Sequence, residues 1–157
     1  MKPRLYLETT IPSYLTAWIS RDLVMAGHQQ TTREWWQDRR GDFDIFISAF
    51  VLDESAGGDP DAARRRLDLL AGFPMLEVDD RVLALATHLQ RSCRLPVKAA
   101  TDSLHVAVAA VNGMEFLLTW NCAHLANAEF IPKIREQCEA MGYSCPTICT
   151  PEALMGI

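Results

Sequence analysis

Apolar and polar positions fall into alternating blocks along the chain. Arg4-Leu5-Tyr6-Leu7 is a short apolar run ended by Glu8, the signature of a first buried strand. Helical spacing follows from Ile11 to Ile19, with Pro12 in the first turn, and from Leu23 to Arg40. Phe43 to Ile47 is rich in β-formers and predicts a second strand. It leads into a helix from Ser48 to about Ala56, closed by Gly57-Gly58. Asp59-Pro60-Asp61 opens a helix to about Leu70, and Met75 to Val78 predicts a third strand. Asp79 or Asp80 caps a helix to about Arg91, whose Val82, Leu83, Leu85, Ala86 and Leu89 form one apolar face. A strongly apolar helix from Thr101 to Val111 ends at Asn112-Gly113, and Glu115 to Thr119 gives the next strand. A helix from about Ala128 to Met141 stops at Gly142, and Thr147 to Cys149 predicts a last strand.

Strands alternating with helices over short connections predict a three-layer α/β/α fold. Its central sheet would be mainly parallel, with four to five strands. The 157 residues suit one domain over 1–157. No apolar run approaches the ~20 residues that span a bilayer, and no signal-peptide core follows the basic start, so the expected location is cytoplasmic. Cys93, Cys122, Cys138, Cys145 and Cys149 are irregularly spaced, without a Cys-x-x-Cys pair. They read as reduced thiols and not as a zinc set.

Charge changes the picture. Twenty acidic residues against fifteen basic ones give a net charge of −5. Proteins that hold nucleic acid by neutralising many phosphates are usually basic, so any polyanion here must be met by a bound cation or a local patch.

Ligands of open parallel sheets bind beyond the carboxyl ends of the strands. After the first strand stands Glu8-Thr9-Thr10 and no glycine-rich turn, which excludes the dinucleotide fingerprint and the P-loop. Glu54 lies in the helix after the second strand, Asp102 in the first turn of the apolar helix, and Thr119-Trp120-Asn121 after Glu115–Leu118. Singly, Asp102 reads as a helix N-terminal acid, Glu54 as a surface glutamate and Asn121 as a turn residue. If the sheet brings these ends together, Glu8, Glu54, Asp102 and Asn121 place three acids and an amide on one pocket. Packed like charges call for a divalent cation, and Mg²⁺ or Mn²⁺ prefers such oxygen donors. A cation there can activate water and neutralise a phosphodiester.

These residues resemble the motifs of PIN-domain nucleases. Tyr6 to Tyr14, around Glu8-Thr9-Thr10, is similar to the opening Asp-Thr-Asn/Ser motif. Ser48-x-x-Val51-x-x-Glu54 resembles the second motif, Thr101-Asp102-Ser103-Leu104-His105-Val106-Ala107 the third, and Leu118 to Leu125 stands where the fourth, a Thr-x-Asp turn, belongs. All four occur in family order over about residues 4 to 150. The resemblance, particularly to VapC-type toxins of bacterial toxin–antitoxin systems, implies a Mg²⁺- or Mn²⁺-dependent endoribonuclease. It also implies an RNA substrate, an antitoxin partner and a homodimer. Carried over, Glu8, Glu54 and Asp102 are catalytic and hold the metal, Asn121 occupies the fourth catalytic position, and Thr9, Thr10 and Thr119 supply supporting hydroxyls. Glu8 stands for the usual Asp and Asn121 for a carboxylate, so one metal ion is expected in the absence of substrate. An acid near the attacking water, with Glu54 the candidate, would serve as general base.

Other functions fit the same residues: a catalytically impaired PIN-fold module that binds RNA or protein, or a hydrolase of small phosphate esters. His105, three residues after Asp102, reads as a satisfied buried histidine, or else as a group that orients Asp102, ligates metal or contacts substrate phosphate. His124 is the loop candidate for substrate contact, while His28 and His88 carry no evident role. Arg64-Arg65-Arg66 reads as a solvated helix face, with an RNA-backbone patch as the alternative. Trp18, Trp35 and Trp36 read mainly as core, with an interface as the alternative.

Overall fold

The computed structural model describes residues 1–156. Four parallel strands, β1 (Arg4–Leu7), β2 (Asp44–Phe46), β3 (Phe116–Leu118) and β4 (Thr147–Cys149), form a sheet in the order β2-β1-β3-β4. β1 is central, with Tyr6 paired to Phe46 on one side and Leu7 to Leu118 on the other. Its Leu5, Tyr6 and Leu7 are fully buried, as a strand covered on both faces must be.

Seven helices flank the sheet: α1 (Thr10–Thr16), α2 (Leu23–Asp38), α3 (Ala49–Ser55), α4 (Pro60–Leu70), α5 (Asp80–Ser92), α6 (Ala100–Val111) and α7 (Ile131–Ala140). α1 packs on α2 and α4, α5 packs on α6 and α7, and α3 touches both α4 and α6. The expected α/β/α class is the observed one. Side-chain caps set several boundaries: the carboxylates of Asp22, Asp59 and Asp79 accept amide protons from the first turns of α2, α4 and α5. α6 ends where Gly113 takes φ +70°, letting its N–H reach Ala110 and that of Met114 reach Ala109.

Three expectations are corrected. Met75 to Val78 is not a strand: Met75 makes a single parallel bridge with Ile47, and the chain then leaves the sheet. Pro74 has no N–H to donate, and Asp79 is already committed to capping α5. The first helix stops at Thr16 and not at Ile19, because Ala17 is extended. Trp18 is thereby carried outward and is 83% exposed under the Arg65 guanidinium, whereas Trp35 is core and Trp36 packs at its edge. The last helix begins at Ile131, since the Asn127 side chain accepts the amide protons of Glu129 and Phe130 and holds a turn before it.

The arginine run has a mixed fate. Arg64 and Arg65 pair with Asp61, while Arg66 turns inward to the carbonyls of Ser55 and Gly57 at the end of α3. Arg66 thus meets carbonyls at the negative end of the helix that carries Glu54.

Candidate active site

The order β2-β1-β3-β4 places the reversal of strand order between β1 and β3, the usual position of a binding crevice. Glu8 and Thr119 emerge there from adjacent strands: the Glu8 N–H donates to Leu118 and the Thr119 N–H to Cys149. A cleft of about 640 Å³ opens above them, lined by Glu8, Thr9, Thr10, Glu54, Asp102 and Asn121 among others.

Glu8 is almost wholly buried, at 4% exposure. A carboxylate so placed requires partners, and it has three. The Thr10 hydroxyl donates at 2.6 Å and the Thr119 hydroxyl at 2.5 Å to one oxygen, and the Thr10 N–H donates at 3.0 Å to the other. Each hydroxyl also accepts a backbone proton, Thr10 from Trp120 and Thr119 from Asn121. The strand ends are thus stitched together through one side chain.

Glu54 reaches the cleft from α3 and is 39% exposed. Its Oε1 accepts from the Thr9 hydroxyl at 2.6 Å and lies 2.5 Å from His105 Nε2. Burial pushes the Glu54 carboxyl upward. The His105 hydrogen bond and charge, with Thr9, outweigh it and leave the group below its ordinary value.

His105 belongs to a buried relay. Its Nδ1 is 2.6 Å from the Tyr6 hydroxyl, which is 2.7 Å from Ser48 Oγ, and all three residues are fully buried. An ionised Glu54 can only accept. Nε2 of His105 therefore donates to Glu54. With a neutral ring, Nδ1 accepts from Tyr6 and Tyr6 accepts from Ser48; with a charged ring, Nδ1 donates to Tyr6 and Tyr6 donates to Ser48. Burial pushes the Tyr6 phenol well above its ordinary range against the Ser48 hydrogen bond, and the Glu8 and Glu54 charges add to the rise. Sequence reading takes His105 first as a satisfied buried histidine, with orienting Asp102, ligating metal or contacting substrate phosphate as the alternatives. In the structure the ring is fully buried and both nitrogens have hydrogen-bond partners, Tyr6 and Glu54.

Asp102, in the first turn of α6, accepts from Asn121 Nδ2 at 3.0 Å, and its other oxygen lies 3.3 Å from His124 Nδ1. Burial pushes its carboxyl upward, and Glu8 and Glu54 add to this, against His105 and His124. Asn121 spans the pair, because its carbonyl oxygen accepts the His124 N–H. His124 is partly exposed at the cleft rim.

Oxygens of Glu8 and Glu54 and a nitrogen of His105 lie within 4.8 Å of one another, a cluster able to bind a metal. Asp102 stands outside that triple but lines the same cleft. Among the described residues no Lys or Arg pairs with Glu8, Glu54 or Asp102. Three carboxylates without a Lys or Arg partner, one of them pushed upward, fit a hard divalent cation.

The architecture is matched by a known structure. A chain of the crystal structure of VapBC2 from Rickettsia felis, bound to a DNA fragment from their promoter, superimposes with a TM-score of 0.59 at 15% identity, covering 93% of this chain and 97% of that one. The chain has a PIN-like fold. No protein-family model matches the sequence, and no curated protein matches it significantly, so the likeness is one of fold. Within the PIN-like frame, sequence reading missed Tyr6 and Ser48, whose polar atoms look unremarkable in an apolar strand and at a helix start. It also missed His28, whose ring stacks on Trp120 with centroids 4.1 Å apart.

Proposed function

We propose that the protein is a metal-dependent endoribonuclease that hydrolyses RNA phosphodiester bonds. The observation that carries this reading is the convergence of Glu8, Glu54 and Asp102 on one cleft of a PIN-like fold with no Lys or Arg to balance them. Bound Mg²⁺ or Mn²⁺ would neutralise phosphate charge and acidify water. Glu8, anchored by Thr10 and Thr119, supplies a fixed carboxylate, and Glu54 lines the cleft with its Oε1 tied to Thr9 and His105. Asp102 supplies the third carboxylate, with Asn121 holding its orientation. Glu54 is the general-base candidate. The cation would also let an acidic protein engage a polyanion.

The VapBC2 likeness supports, as part of the same proposal, a toxin role with an antitoxin partner; homodimer formation and a cytoplasmic setting complete the proposal without support from that likeness. The deciding experiment is cleavage of a labelled single-stranded RNA with Mn²⁺, with EDTA and by Asp102→Ala. Cleavage that needs metal and is lost in the variant supports the proposal. Equal cleavage by both proteins, or none by wild type, overturns it.

A further inference from the structure

We propose that Tyr14, backed by Trp120, is a stacking subsite for an unpaired nucleobase of the RNA strand, beside the carboxylates; this rests on the ribonuclease reading. Thr10 and Tyr14 are four residues apart on α1 and so share a face, and both line the cleft. Tyr14 is half-buried, and its ring lies within 10° of parallel to Trp120, with centroids 6.0 Å apart.

Trp120 is held rigidly. Its indole N–H donates to the Thr32 hydroxyl at 2.7 Å, its backbone N–H donates to Thr10 at 2.8 Å, and His28 stacks on it within 13° of parallel. Three nearly parallel rings thus stand at the edge of the carboxylate cluster, and Thr10 joins the two features. Its hydroxyl donates to Glu8 and accepts from Trp120.

The cleft lining contains no Lys or Arg, so phosphate pairing with basic side chains is not available there. Beside a bound cation, stacking on a fixed aromatic face is a source of strand affinity that needs no basic side chain, and it tolerates any base. The cleft, at about 640 Å³, is within the usual range for small-ligand sites.

The test is an abasic scan of a short single-stranded RNA against wild type, Tyr14→Phe and Tyr14→Leu, with melting temperatures to establish that each variant is folded. For wild type, one abasic position is expected to lower kcat/KM by about tenfold, mainly through KM. Tyr14→Phe keeps that penalty. Tyr14→Leu loses about the same factor on intact RNA and shows no further loss at that position. A full abasic penalty in Tyr14→Leu, or no sensitive position in wild type, overturns the subsite. If wild type cleaves no RNA, the ribonuclease reading fails. The same series is then read as binding anisotropy with Mn²⁺, where the same contrast supports the subsite and its absence, or no binding, overturns it.

Discussion

His105 Nε2 and Glu54 Oε1 stand 2.5 Å apart, joining α6 to α3 at the point where the buried interior meets the cleft. The contact ties Glu54 Oε1 in place together with the Thr9 hydroxyl, and it is itself backed by Tyr6 and Ser48.

Tyr6→Phe tests the relay. Removing the phenolic oxygen leaves His105 Nδ1 and Ser48 without that partner in a buried site, at a cost of about 1–3 kcal/mol. Urea denaturation of metal-free protein should register that loss. Mn²⁺ affinity by calorimetry should fall by about 10–100-fold, the usual effect of losing a group that orients a ligand. Unchanged affinity would mean that the relay only stabilises the fold.

Acidification should separate Glu54 from Asp102 in metal-free protein. Glu54 lies below its ordinary value of 4.5, so its ionised form stabilises the fold. That contribution is present above the unfolded value and is lost as pH falls through the lower folded one. Asp102 is raised from 3.8, so its ionised form costs stability, and the cost appears as pH rises through its folded value. Asp102→Asn should therefore melt a few degrees above wild type at pH 7, and the gap should close near pH 3. Glu54→Gln should melt below wild type at pH 7. Scanning calorimetry across that range checks both signs.

Metal should reverse the Asp102 order. Saturating Mn²⁺, at about 100 times its dissociation constant, stabilises the native state by about 2.7 kcal/mol. The wild-type melting temperature should rise on addition, and that of Asp102→Asn much less, so the variant's advantage at pH 7 disappears. An equal rise in both proteins would remove Asp102 from the metal site.

Thr119→Val removes a hydroxyl that donates to Glu8 and accepts from the Asn121 N–H. The shape is nearly kept, so the loss is polar: about 1–3 kcal/mol of unfolding free energy and a weaker Mn²⁺ response. Trp18→Ala is the contrasting control. Despite its size, Trp18 is 83% exposed, and its removal should shift stability by no more than about 0.5 kcal/mol.

Most of the fold was legible because its elements carry strong local signals. Leu5–Leu7 is an uninterrupted apolar run, Asp59-Pro60 and Asp79 announce helix starts, and Gly113 and Gly142 announce ends. Met75–Val78 misled because a β-like composition does not reveal that the chain turns away after one bridge. Trp18 misled because size argues for burial, while its position depends on where α1 stops.

Within the site, Glu8 and Asn121 were legible as residues that follow strands, Glu54 as an acid in the helix after the second strand, and Asp102 as an acid in the first turn of the apolar helix. Their partners were not, because partnership is a three-dimensional property. His105 is three residues from Asp102 in sequence, yet its ring nitrogens bond to Tyr6 and Glu54, each on a different element. No spacing rule connects residues 6, 48, 54 and 105.

The central place of β1 also bears on the order of events during synthesis. The Glu8 carboxylate is bonded by Thr10 nearby and by Thr119, 111 positions later. Because β1 pairs with residues 116–118, a ribosome must deliver the chain at least to Thr119 before the carboxylates can assemble. An emerging fragment lacks the strand that closes the crevice. Such long-separation pairing slows folding, and under the ribonuclease proposal it delays cutting power until residues 116–119 have left the ribosome.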